Sequence, residues 1–211
     1  MNAQTEKLLI AGPAGAIECA LDRPADGLAS RGLALICHPN PTQGGTLDNK
    51  VVQTLARAFL QLGLRTVRFN FRGVGRSEGS WDEGRGEIDD AAAVLAAQQG
   101  ADEPLVLAGF SFGGYVASRL AQRRDAAGAP ARRLVLVGPA TSRFDVAPTV
   151  PADTLVIHGE VDDVVPLASV LDWARPQSLP VTVVPGVGHF FHGQLPLLKN
   201  LVASSFTAFP I

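Results

Sequence analysis

The chain has 211 residues, is 46% hydrophobic and 18% charged, and carries a formal net charge of −2. That is the composition of a globular protein long enough to bury one sizeable core. No block of Lys and Arg supplies the concentrated positive charge that phosphate backbones demand, so nucleic acid is not an expected partner.

The N-terminal stretch MNAQTEKLLIAGPAG lacks a basic region followed by an apolar run of signal length. No run is long enough to cross a bilayer, so a cytoplasmic protein away from membranes is expected. LLIAG (8–12) and AIECALD (16–22) read as two short strands joined by a Pro/Gly turn, a hairpin. GLALICH (32–38) is almost continuously apolar, as a strand covered on both faces should be. Residues 49–63 place Val51, Val52, Leu55, Ala58, Phe59 and Leu62 at helical spacing, and Gly63 ends the run. A strand at 64–71, a helix at 87–100, a strand at 104–110 and a helix at 112–124 follow. Strands at 132–140 and 154–159, a short helix at 167–174, a strand at 181–186 and a closing helix at 195–209 complete the chain.

This alternation predicts an α/β fold: a mostly parallel sheet behind an N-terminal antiparallel hairpin, helices on both faces, and residues 1–211 as a single domain. Sites in such sheets lie at the carboxyl ends of the strands. Those ends carry CHPNP, FRGVG, GFSFG, VGPA, HGEVDD and GVGHFFH. Cys19 and Cys37 match neither a disulfide framework nor a metal spacing, and Cys37 in its apolar run reads as a small buried hydrophobe.

LAGFSFGGYV (107–116) is the most pointed of these stretches. A strand that reverses sharply into a helix strains its apex residue, and small residues must stand two positions away on each side. Gly109 and Gly113 meet that need around Ser111. Ser111 would stand exposed at the sheet top as a nucleophile, with the Phe112 N–H beside it at the start of the helix. A dinucleotide-binding turn needs G-x-G-x-x-G in the first unit, and neither this turn nor FRGVGRSEG (71–79) has it. Arg72 and Arg76 of that second loop read as solvated side chains, with anion binding as the alternative.

A serine hydroxyl needs a base. In the order nucleophile, acid, histidine, the histidine follows the last strand, which selects His189, with His192 in reserve. His158 and His38 end other strands and read as structural. The acid must orient the imidazole. Glu160, Asp162 and Asp163 all follow the penultimate strand, and Asp145 follows the one before. An oxyanion needs two N–H donors. Phe112 offers one. Proline has no N–H, so in His38-Pro39-Asn40-Pro41 the second falls to Asn40, the donor further into the loop.

With GFSFGG, HGEVDDVVP and GVGH in that order, the sequence resembles the α/β-hydrolase fold family over almost its whole length. HPNPTQGGTLDNKVV (38–52), FNFRGVGRSEG (69–79) and HFFHG (189–193) resemble a group of small bacterial hydrolases within it. The spacing His-Gly-x-x-Asp-x-x-Val-Pro of that pattern selects Asp162 as the acid and leaves Asp163 second. The resemblance implies a serine hydrolase that acts on ester, thioester or similar acyl bonds of a small-molecule substrate, without metal or cofactor. A peptidase-like activity on the same triad and a non-enzymatic binding role are the alternatives.

Many relatives carry a cap domain after the strand that RRLVLVGPA represents. Here about a dozen residues, 141–153, separate it from the next strand, too few to fold as a cap. An open site is therefore expected, rimmed by 39–48, 73–86 and 141–152. The apolar tail SFTAFPI (205–211) reads equally as a docked helix end or a contact between copies, which leaves the oligomeric state open.

Overall fold

The structure, a computed structural model, describes residues 5–24 and 30–208; residues 209–211 of the apolar tail lie outside it. The described strands are β1 (Glu6–Gly12), β2 (Gly15–Asp22), β3 (Leu33–Cys37), β4 (Arg65–Phe69), β5 (Leu105–Phe110), β6 (Arg133–Val137), β7 (Leu155–Gly159) and β8 (Val181–Val184). They form one sheet in the order β1-β2-β4-β3-β5-β6-β7-β8. β1 and β2 pair antiparallel, as do β2 and β4, and every pairing from β4 to β8 is parallel.

The central strands are buried along their whole length because helices cover both faces. These are α1 (Lys50–Gln61), α2 (Arg85–Gln98), α3 (Phe112–Ala126), α4 (Leu167–Ala174) and α5 (Leu195–Ala208). Alternate strand residues point to opposite faces. Leu33, Leu35 and Cys37 pack with Leu105 and Leu107 against Val94 of α2, Val116 of α3 and Val170 of α4. Ala34 and Ile36 pack with Val106, Ala108 and Phe110 against Val52 and Leu55 of α1 and Leu198 and Val202 of α5. Burial pushes the Cys37 thiol above its ordinary range and the Cys19 thiol up to about 12, the latter with a smaller contribution from Glu18. Both behave as small apolar groups at neutral pH.

Element boundaries differ from the sequence expectation by one to three residues, for local reasons. α2 begins at Arg85 because the Glu87 carboxylate accepts the N–H groups of Asp82 and Gly84. β6 stops at Val137 because Gly138 turns to φ +50. From β6 to β7 the chain runs through turns with no helix, so this fold has no lid. Among the described residues no helix is long and apolar enough to cross a membrane.

Candidate active site

Ser111 joins β5 to α3 with φ 55 and ψ −117, a conformation that costs a non-glycine residue about 1–3 kcal/mol. Packing enforces it. A Cβ at Gly109 would stand 2.0 Å from the Gly113 carbonyl oxygen, and one at Gly113 would stand 2.2 Å from that of Cys37. The Ser111 N–H donates to Val137 at 2.9 Å, and its carbonyl accepts from Gly114 and Ala140. The turn is thus tied to the ends of β3 and β6. Phe112, at the first position of α3, has an N–H with no intrahelical acceptor.

Asp162 follows β7 and His189 follows β8. Asp162 Oδ1 accepts the N–H groups of Val164 and Val165 at 2.9 and 2.7 Å, and its Oδ2 accepts His189 Nδ1–H at 2.6 Å. Both side chains are buried. Burial works against ionisation of Asp162, but the His189 bond and the Val165 and Val164 N–H groups outweigh it and hold the carboxyl below its usual range. The two loops touch closely: a Cβ at Gly159 would stand 2.2 Å from the Val187 carbonyl oxygen. Gly138, at φ +50, leaves the space where His189 lies, 3.2 Å from a Cβ built there. Phe110 stacks against the imidazole with ring centroids 4.8 Å apart.

His38 and His158 are fully buried. His38 Nδ1–H donates to the Pro39 carbonyl at 2.6 Å, and Nε2 accepts the Phe71 N–H at 3.1 Å. This fixes one neutral tautomer, and burial lowers its pKa to about 4. His158 Nε2–H donates to Val165 at 2.9 Å and lies 3.4 Å from Asp162 Oδ2. Burial lowers its pKa too, against the Val165 carbonyl and the Asp162 charge. His158 therefore supports the acid loop from beneath.

Asn40, Ser111 and His189 line one cleft of about 200 Å³. Among the described residues the Asn40 and Phe112 N–H groups donate to no protein acceptor, so both are available to a ligand. Ser111 and His189 share the cleft without a hydrogen bond between them. Asp163 also lines it but makes neither a hydrogen bond nor an ion pair with His189, whereas His192 is exposed beside Phe190 and outside it. Asp145 is paired with Arg119, away from the cleft. Among the described residues no group of three or more His, Cys, Asp or Glu side chains could hold a metal ion.

Two expectations need correction. Arg72 is neither solvated nor free for an anion: Asp90 grips it through two side-chain bonds of 2.9 and 2.7 Å and a third from its backbone N–H. The 73–86 segment does not line the cleft. Glu18 and Glu78 bond Arg76 N–H and Ala16 N–H, which ties its first half to the hairpin. Trp81 is drawn onto Phe112 at 5.0 Å and Phe144 at 6.4 Å. Asp163 and Val164 of the acid loop and Phe190 complete the wall instead. Arg143, from the short segment after β6, also reaches the cleft. It lies within an expected rim, but sequence reasoning did not single it out. An arginine in the segment that stands where relatives carry a cap was the available signal.

A family model described as serine aminopeptidase, S33, matches residues 41–148. An uncharacterized protein of Rickettsia prowazekii is 31% identical over 196 residues, covering 85% of this chain and 79% of its own. The chain is similar to a crystal structure from Xanthomonas campestris described as an α/β serine hydrolase without lid. The TM-score is 0.88 at 37% identity, covering 100% of this chain and 98% of that one. An α/β serine hydrolase homologue from Coxiella burnetii matches with a TM-score of 0.81 and 40% identity, covering 94% and 96%.

Proposed function

The chain belongs to the lid-less α/β serine hydrolases, and from that premise we propose that it cleaves ester or thioester bonds of small molecules through an acyl-enzyme on Ser111. The observation that carries this reading is the buried 2.6 Å bond between Asp162 and His189 Nδ1, in a cleft shared with Ser111. With Nδ1–H given to Asp162, the neutral imidazole keeps a lone pair on Nε2. That nitrogen takes the Ser111 hydroxyl proton as Oγ bonds to the substrate carbonyl carbon. The Asn40 and Phe112 N–H groups stabilise the oxyanion that forms. His189 then protonates the departing alcohol or thiol as its bond to carbon breaks; in the second step it takes a proton from water, whose oxygen bonds to the acyl carbon, and returns that proton to Ser111 Oγ as the Oγ–carbon bond breaks. Nucleophile–base hydrogen bonds commonly tighten only in the substrate complex, which accommodates the open Ser111–His189 pair. A cleft without a lid suits small substrates or the exposed end of a larger one.

Mass spectrometry after treatment with a fluorophosphonate tests this. One covalent adduct on Ser111, absent from Ser111→Ala, is expected. No adduct on folded protein would overturn the proposal. A second reading, cleavage of an amide beside a free amine, draws on the matched family's description and on the Asp163 carboxylate in the cleft.

A further inference from the structure

Two asparagines and an arginine of the cleft have hydrogen-bond donors left over. Backbone N–H groups can only donate, so the atoms they reach must be acceptors. Thr42 N–H reaches Asn40 Oδ1 at 2.9 Å, and Val51 N–H reaches Asn49 Oδ1 at 2.9 Å. The acceptor of each asparagine is thereby engaged inside the protein, and its NH₂ donors remain. Both residues line the cleft. Arg143 lines it as well, and among the described residues its guanidinium makes neither an ion pair nor a hydrogen bond. Arg72 and Arg119, which do not line the cleft, are held by Asp90 and Asp145. Against these donors stands one carboxylate, Asp163.

We propose that the cleft selects a substrate bearing a carboxylate near its scissile bond, held by Arg143 with the Asn40 and Asn49 amides as further donors. This rests on the ester-hydrolase reading and names the substrate class within it. A planar guanidinium matches a carboxylate with two parallel N–H···O bonds, which adds orientation as well as attraction. The cleft is open, so the pair is partly solvated and its effect is moderate.

The test compares aryl esters of butyrate, of glutarate as its mono-ester, and of glycine, together with acetyloxybenzoate, which carries the carboxylate on its alcohol half. In the wild type one of the two anionic esters should exceed the neutral one in kcat/KM. Arg143→Gln should lower that ratio by about tenfold to a hundredfold. Arg76→Gln, exposed and outside the cleft, should leave the ratio unmoved. An NMR titration of glutarate into the Ser111→Ala protein reads binding without turnover, and adding Arg143→Gln should abolish saturation. If glutarate binds while no ester is hydrolysed, the ester reading falls and the carboxylate site stands. No anionic preference, or binding indifferent to Arg143, overturns the inference. So does a preference for the glycine ester that Asp163→Asn removes, which would give the cleft to an amine.

Discussion

The two walls of the cleft are built differently. On the wall that holds the candidate triad, polar groups are already tied to the protein. Asp162 accepts three N–H bonds, His158 props its loop, and Gly109, Gly113 and Gly159 let backbones approach closer than a Cβ allows. On the wall from the loops after β3 and β6, Asn40, Asn49 and Arg143 have donors to spare. The difference separates two tasks. Reacting groups lose rate when they are misplaced by fractions of an ångström, so their surroundings over-determine them. Groups that recognise a substrate must keep bonds available until it arrives.

Substitutions on the tied wall should therefore be severe. Among substitutions that keep the nucleophile, Asp162→Asn has the largest expected effect on that wall. Its side-chain oxygen can still accept from Val164 and Val165, so the loop should keep its shape. Its NH₂, placed against His189 Nδ1, would force the proton onto Nε2 and remove the base. Turnover should fall by about 10³–10⁴-fold with secondary structure intact, measured by ester hydrolysis alongside circular dichroism. A loss below about tenfold would deny Asp162 its orienting part. Gly113→Ala comes next and acts through packing. The added methyl would meet the Cys37 carbonyl carbon at 2.5 Å as well as its oxygen. β3 must move, at a cost on the order of 4 kcal/mol in urea unfolding. A variant as stable as the parent would show the elbow to be slack, and the contrast between the walls would fail.

How legible was this in the sequence? The strand and helix order was, because period-2 and period-3.6 patterns are local and Gly63 and Gly100 mark real ends. The sharp turn at Ser111 was legible too, since its glycines sit two residues away. Asp162 was not separable from Asp163 by chemistry alone. Adjacent carboxylates look identical until the backbone points one at His189 and leaves the other in the cleft. The 73–86 rim and Arg72 were misread because what decides them lies far along the chain. Asp90 is 18 residues from Arg72, and Glu18 is 58 from Arg76. No local pattern announces such a partner. Arg143 had the opposite difficulty: its guanidinium has no partner among the described residues and it lines the cleft, which becomes visible only once the chain is folded.

His38 lets one anchor of the Asn40 loop be tested through pH. Its ring bridges the Pro39 carbonyl and the Phe71 N–H, so it anchors the loop that carries Asn40. Protonation would put a second N–H against the Phe71 N–H and break that bridge. Burial lowers the folded-state pKa from 6.5 to about 4, outweighing the Pro39 bond that raises it. Between those values the unfolded chain binds the proton that the folded one refuses. The stability it contributes is therefore complete above about pH 6.5 and is lost as pH falls to about 4, up to about 3 kcal/mol in all. His158, also lowered by burial, acts in the same direction. Gln at position 38 offers both a donor and an acceptor without titrating. His38→Gln should lose packing against Phe71, whose ring lies 4.5 Å from the imidazole, yet show a shallower fall in urea midpoint between pH 7 and 4.5. Parallel slopes for the two proteins would mean that the imidazole is free to charge in place, and that its bridge does not anchor the Asn40 loop.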